Sequence, residues 1–216
     1  ILPEGLESLG SEAFMDCRGF YGELHLPSSL TKIGANAFYF CTGLTGSLNL
    51  PSGIKEVGNR SFVGCGFDGT LTLPDGIEKI DEFAFSGCHF KGNLILPKNL
   101  KLIGQHAFSD NNFSGELTFP SSLTTIGEGT FCNNARLSGT LEFTENITNI
   151  QKDVFAGCQG INKIIFSSSI ENIGDGAFTN CHGISSIISK GETPAHVGTS
   201  TFDGVAKDNF TLEVPE

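Results

Sequence analysis

Apolar positions recur along this chain every 23 or 24 residues, and the pattern is plainest in residues 73–88, LPDGIEKIDEFAFSGC. The same frame reads LPSSLTKIGANAFYFC at 26–41 and LPSGIKEVGNRSFVGC at 50–65. It weakens to FTENITNIQKDVFAGC at 143–158 and FSSSIENIGDGAFTNC at 166–181. One column of the frame is Phe throughout: Phe14, Phe38, Phe62, Phe85, Phe108, Phe131, Phe155, Phe178 and Phe202. A period of this length belongs to a solenoid, in which each coil buries its apolar side chains only against neighbouring coils.

Within the frame, a Leu-x-Leu pair stands just before the Pro position, as in Leu48/Leu50, Leu71/Leu73 and Leu94/Leu96. Alternation of period two predicts a short strand with these side chains facing the core. Proline then ends the ladder by removing a backbone donor. A second apolar pair follows at three-residue spacing, as in Leu30/Ile33 and Ile77/Ile80, and after it comes Gly in seven of nine repeats. That regularity predicts a backbone angle that only Gly adopts without penalty; Asp81 at the same place is compatible with it, and Gln151 is not. Another Gly set, from Gly22 and Gly46 to Gly139, precedes the strand and reads as an inserted bulge residue. Residues 161–167 and 184–190 lack it and are one residue shorter, so the first six coils and the last two should differ in local shape.

The expected architecture is therefore a repeat solenoid, mainly β with irregular turns: one domain, 1–216, of about nine coils, with an atypical last coil at 190–216. Ile1 and Pro3 already stand on the frame and Leu212 to Pro215 close on it, which predicts a fragment of a longer protein without end caps.

Composition narrows the function classes. A net charge of −11 over 216 residues leaves nothing to neutralise a row of phosphates, which argues against a nucleic-acid partner. No apolar run is long enough for membrane insertion. Six of the seven cysteines (Cys17, Cys41, Cys65, Cys88, Cys158 and Cys181) lie three residues after the column Phe, and Asn111 and Asn134 take that place in two other coils. A column that accepts Cys or Asn selects a small side chain able to meet backbone groups at a turn, so free, buried thiols are expected. Cys132 lies off the column and is the thiol expected to be most accessible.

The residues LxLPxxLxxIGxxAFxxC, repeated along nearly the whole chain, resemble the leucine-rich repeats of the BspA-like family of bacterial surface proteins. The resemblance implies a right-handed, curved or gently twisted superhelix with a parallel β-sheet along one face. It further implies an extracellular or cell-surface, non-enzymatic role in adhesion and protein binding. It supplies no catalytic residues.

Candidate chemistry is sparse. Cys88-His89 and Cys181-His182 occupy the same place in coils four apart, roughly 20 Å at about 5 Å per coil, too far to share an ion. No nucleophile–base set and no calcium-loop series is visible, and no cofactor is expected. What remains is surface. The positions outward of the strand, His25, Asn49, Thr72, Ile95, Thr118, Glu142, Lys163, Ile165 and Ile188 among them, form a small, polar face nearly free of aromatics. Sugars stack on aromatic rings, so this face suits a protein ligand better than carbohydrate; the plainer reading is that Ser and Thr simply suit exposed strands. A second candidate is an aromatic patch of Tyr21, Tyr39 and Phe40 in the second coil, with local packing as its alternative. The rival to a binding module is a structural spacer that projects another domain.

Overall fold

The computed structural model describes residues 2–206 and 211–215. Phe210, where the sequence restarts the strand motif, and Ile1 lie outside the described residues. The chain is a parallel β-solenoid of about nine turns, with no helix among the described residues. Its interior is the stack foreseen from the Phe column. Successive rings from Phe14 to Phe202 lie 5.3–5.7 Å apart, and from Phe38 onward they are within 11° of parallel. The seven central rings are fully buried, while Phe14 and Phe202 in the first and last coils are half-buried.

Three sides enclose this core. The first is a parallel ladder at the second apolar pair, where the sequence promised no strand. Six two-residue strands pair in coil order: Ser8–Leu9, Lys32–Ile33, Glu56–Val57, Lys79–Ile80, Leu102–Ile103 and Thr125–Ile126. Asn149–Ile150, Asn172–Ile173 and His196–Val197 form a separate ladder of three. The second side carries the Leu-x-Leu strands. In the early coils it is broken into two-stranded pieces such as Leu48–Asn49 with Leu71–Thr72. From Ser138–Glu142 it runs continuously through Gly160–Phe166 and Ser186–Ser189 to Thr211–Glu213. The third side is the turn bearing the column Phe. Backbone donors there reach the next coil, as in Phe14 N–H to Ala37 O at 2.8 Å and Phe108 N–H to Thr130 O at 3.0 Å.

This turn is bracketed by left-handed backbone two residues before and two after each Phe. Some of the residues held there are ones that rarely adopt it, such as Arg60 (φ 53°), Phe83 (φ 56°) and Phe40 (φ 55°). Gly, Asn and Asp fill most of these positions, and where they do not, coil stacking holds the turn in the same shape.

The glycine column after the second apolar pair has a different cause from the one expected, while the column before the strand fits its expected bulge role at Gly139, where the strand register shifts. Gly34, Gly58 and Gly104, after the second apolar pair, are not left-handed; the preceding coil simply lies too close for a side chain. A Cβ on Gly104 would sit 2.5 Å from Glu82 N. The left-handed angle belongs to most of the glycines before the strand, for example Gly139 at φ +82°, though not to Gly69. At Gly139 the strand register shifts, whereas Gly160–Phe166, which has no counterpart of Gly139, runs unbroken for 7 residues. The expected contrast between early and late coils is present, and a register irregularity between Gly139 and Thr140 marks the transition.

The cysteine column hydrogen-bonds backbone. Cys65 Sγ donates to Phe38 O at 3.0 Å and Cys88 Sγ to Phe62 O at 2.8 Å; Asn111 and Asn134 make the same contact through Nδ2 to Phe85 O and Phe108 O. All seven thiols are free. Cys132, however, is buried, 3.6 Å from His106 Nδ1, and Cys17 in the first coil is the most open thiol. The off-column position misled because His106, from the preceding coil, closes over it. His106 in turn stacks on Phe83 at 5.1 Å, and Arg60 lies over Phe83 at 4.9 Å.

Candidate functional site

The outward residues of the Leu-x-Leu side are positioned by the strands that carry them, because alternate side chains along a strand point away from the core. His25, Asn49, Thr72, Ile95, Thr118 and Glu142 are exposed, while Lys163, Ile165 and Ile188 are half-buried. Parallel pairing aligns them into rows. Asn49 lies opposite Thr72 in the early coils. In the late coils Thr140, Lys163, Ser186 and Thr211 form one row, and Glu142, Ile165, Ile188 and Glu213 form another. The structure thus brings Ile165 and Ile188 side by side, framed by a carboxylate at either end. Ile95 stands apart, three coils from Ile165 and 75% exposed.

One participant escaped the sequence reading. Lys190 reaches back past the intervening coil to Glu142, Nζ to Oε1 at 2.8 Å, beside the isoleucine row. The contact spans 48 residues and follows no column, so no periodic signal announced it.

The opposite ladder differs in character. Several of its charges neutralise one another: Lys79 with Glu56 of the preceding coil and with Asp81 of its own at 2.7 Å each, and Lys101 with Glu78 of the preceding coil at 2.6 Å. The Lys101 ammonium holds the Glu78 carboxyl below its usual range. Those charges have their partners already.

The aromatic patch does not hold together as expected. Tyr39 and Phe40 are in contact at 4.7 Å, but Phe40 is half-buried against Gly64 of the next coil, and Arg18 lies 6.0 Å from its ring. Tyr21, 90% exposed, lines a separate hollow with Phe14, Phe20 and His25 at the first coil. The alternative of local packing accounts for Phe40. A larger apolar hollow of about 660 Å³ opens at the last coil, lined by Ile170, Ile173, Ile187, Phe202 and Val205 among others. Pro194, on an apolar column in the sequence, is exposed at its rim.

The histidines are scattered. His25 lies 3.9 Å from Glu23, His182 bonds Gly204 O at 2.7 Å, and His89 and His196 are exposed. Among the described residues no three His, Cys, Asp or Glu side chains come together to hold a metal. Nor is any helix there long and apolar enough to cross a membrane.

Comparison with known proteins agrees with this geometry. The family model of the BspA type leucine rich repeat region matches in six copies, over residues 7–138 and 134–213. The crystal structure of a leucine-rich repeat protein from Bacteroides ovatus superposes with a TM-score of 0.71 at 23% identity. That match covers 97% of this chain, which spans 64% of the Bacteroides protein. The leucine-rich repeat protein of T. pallidum gives a TM-score of 0.61 at 28% identity, over 74% of this chain and 72% of its own. No protein of curated function matches the sequence.

Proposed function

The chain belongs to the BspA-type leucine-rich repeat family, and from that membership we propose that it is a non-enzymatic protein-binding module acting in adhesion at the cell surface or outside the cell. The observation that carries this reading is the row Glu142, Ile165, Ile188, Glu213 on the one continuous stretch of the outward sheet. Two adjacent β-branched side chains, half-exposed and flanked by carboxylates, offer an apolar contact with a polar rim, the anatomy of a protein interface in miniature. On the opposite ladder several charges are paired between coils, such as Lys79 with Glu56 and Lys101 with Glu78. Among the described residues the outward positions of the sheet are nearly free of aromatic rings on which a sugar could stack, which favours a protein ligand over carbohydrate. The extracellular or surface setting rests on the resemblance to bacterial surface proteins.

The test is binding by paired variants. A photo-crosslinking residue at Ile165 should trap a discrete protein partner that unlabelled wild-type chain competes away, and the same group at Lys55 on the opposite ladder should not. The Ile165→Glu/Ile188→Glu variant should fold normally and lose most of that competition. If the variant competes as well as wild type, the row is not the binding face; if neither position traps a competable partner, the chain is better read as a spacer.

A further inference from the structure

The solenoid changes construction between its sixth and seventh coils. The ladder at the second apolar pair stops at Thr125–Ile126 and starts afresh at Asn149–Ile150, while every other neighbouring pair of coils is bonded there. On either side the pattern is regular. Thr124 N–H donates to Lys101 O at 3.0 Å and Gly127 N–H to Ile103 O at 2.8 Å. Glu171 N–H donates to Thr148 O at 2.8 Å and Gly174 N–H to Ile150 O at 2.8 Å. Among the described residues the corresponding bonds from Thr148 to Thr124 O and from Gln151 to Ile126 O do not form.

The cause lies in two coincident features. Each residue at the glycine place packs against backbone of the preceding coil; a Cβ on Gly174, for instance, would lie 2.6 Å from Lys152 N. Gln151 carries a Cβ there. Asp81 does too, yet it keeps its bond to Val57 O at 2.9 Å, so a side chain alone does not open the ladder. The second feature is spacing. Val57 to Ile80 is 23 residues, whereas Ile126 to Ile150 is 24. Other 24-residue steps, Leu9 to Ile33, Ile33 to Val57 and Ile173 to Val197, all end in Gly and stay paired. Only at Gln151 do the long step and the side chain coincide.

The other two sides hold. Ser138–Glu142 pairs with Gly160–Phe166 over five positions. On the Phe side Gly129, Phe131 and Asn133 donate to Lys152, Val154 and Ala156 at 2.8–2.9 Å. Across the gap itself, among the described residues, side chains make the polar contacts: Lys152 to Glu128 at 3.7 Å and Asn146 Nδ2 to Ser121 O at 2.6 Å.

We infer that the solenoid is two stacked modules, coils one to six and coils seven to nine, joined by a hinge that is closed on two sides and open on the side of Gln151. Bending about the closed sides changes the angle between the part of the outward face that bears Ile95 and the part that bears Ile165 and Ile188. The hinge thereby sets which ligand shapes can touch both.

Two measurements test it. In native hydrogen exchange, the amides of Thr148 and Gln151 should exchange about tenfold or more faster than those of Glu171 and Gly174, the factor one net hydrogen bond makes. Gln151→Gly should close the ladder and abolish that difference, and Gly58→Gln, at another 24-residue step, should open a new gap beside Ile33. Spin labels give the second readout, in a Cys17→Ser background. Labels on Lys101 and Glu171, three coils apart across the hinge, should show a broader distance distribution than labels on Thr31 and Lys101, three coils apart within one module. Gln151→Gly should narrow it. Equal exchange at the two sites, or equal widths for the two label pairs, would overturn the hinge.

Discussion

At the scale of single residues, two columns carry the stability. The Phe column is a stack of rings offset face to face, a geometry that adds to the burial of large apolar surface. Phe108 is fully buried between Phe85 at 5.6 Å and Phe131 at 5.7 Å, so truncation leaves a cavity that neither neighbour can fill. Phe108→Ala should therefore cost about 3–5 kcal/mol in a urea melt. A loss below about 1 kcal/mol would mean that the stack relaxes as a whole. The cysteine column makes a different prediction. Burial, the dominant cause, pushes the thiol of Cys41 up to about 11 and that of Cys181 up to about 12, and it raises those of Cys65, Cys88 and Cys158 as well. Unfolded, these thiols ionise near pH 9. Above that pH the unfolded chain has released protons that the folded chain still holds, so stability is complete below about pH 9 and falls as pH rises towards 11–12. Urea midpoints measured at pH 7.5 and pH 10 should show that fall, and Cys88→Asn should lessen it. Asn suits the place because Asn111 and Asn134 already fill it with the same bond to backbone.

At the scale of elements, legibility followed periodicity. The Phe, Leu and Cys columns each recur at a fixed offset, so their burial and their contacts could be read before any coordinates. Backbone geometry was read less well, because a glycine column has more than one cause. A left-handed angle and a close approach both select Gly, and only the stacked coils tell Gly139, at φ +82°, from Gly104, 2.5 Å from Glu82 N. The ladder at Lys79–Ile80 was missed because a two-residue strand is too short to alternate. Of the candidate face, the row of Ile165 and Ile188 was visible from the Leu-x-Leu register. The arm of Lys190 was not, since it crosses two coils outside any repeat. The close-approach account has a direct check in coils one and two. A Cβ on Gly34 would lie 2.5 Å from Ser11 N, whereas nothing stands within 4 Å of one on Gly10. Gly34→Ala should destabilise by about 1–3 kcal/mol, the range for forcing atoms into a packed site. Gly10→Ala should be close to neutral in the same denaturation assay. Equal effects would return the column to a conformational explanation.

At the scale of the whole molecule, a solenoid is quasi-one-dimensional: each coil touches only its neighbours, and its stability is a sum of coil and interface contributions. Exposed large apolar side chains are distributed accordingly. Among the described residues Met15, Phe20 and Tyr21 lie at the first coil and Val197, Leu212 and Val214 at the last, with Ile95 between. The central coils have both faces covered, and the end coils have one. Two chemically equivalent hydrogen bonds isolate that difference. Phe14 N–H donates to Ala37 O at 2.8 Å, and Phe108 N–H donates to Thr130 O at 3.0 Å. Both belong to the same turn in the same frame, so bond length and local sequence do not separate them. The number of neighbouring coils does. The Phe108 amide should exchange only through global or module-wide opening, and its rate should rise steeply with added urea. The Phe14 amide should exchange faster by local fraying, nearly independent of low urea, because detaching one coil exposes little new surface. Equal protection of the two in a dilute monomer would mean that the first coil caps the stack as it stands, Phe20 folding over Phe14 at 5.4 Å in place of a further coil.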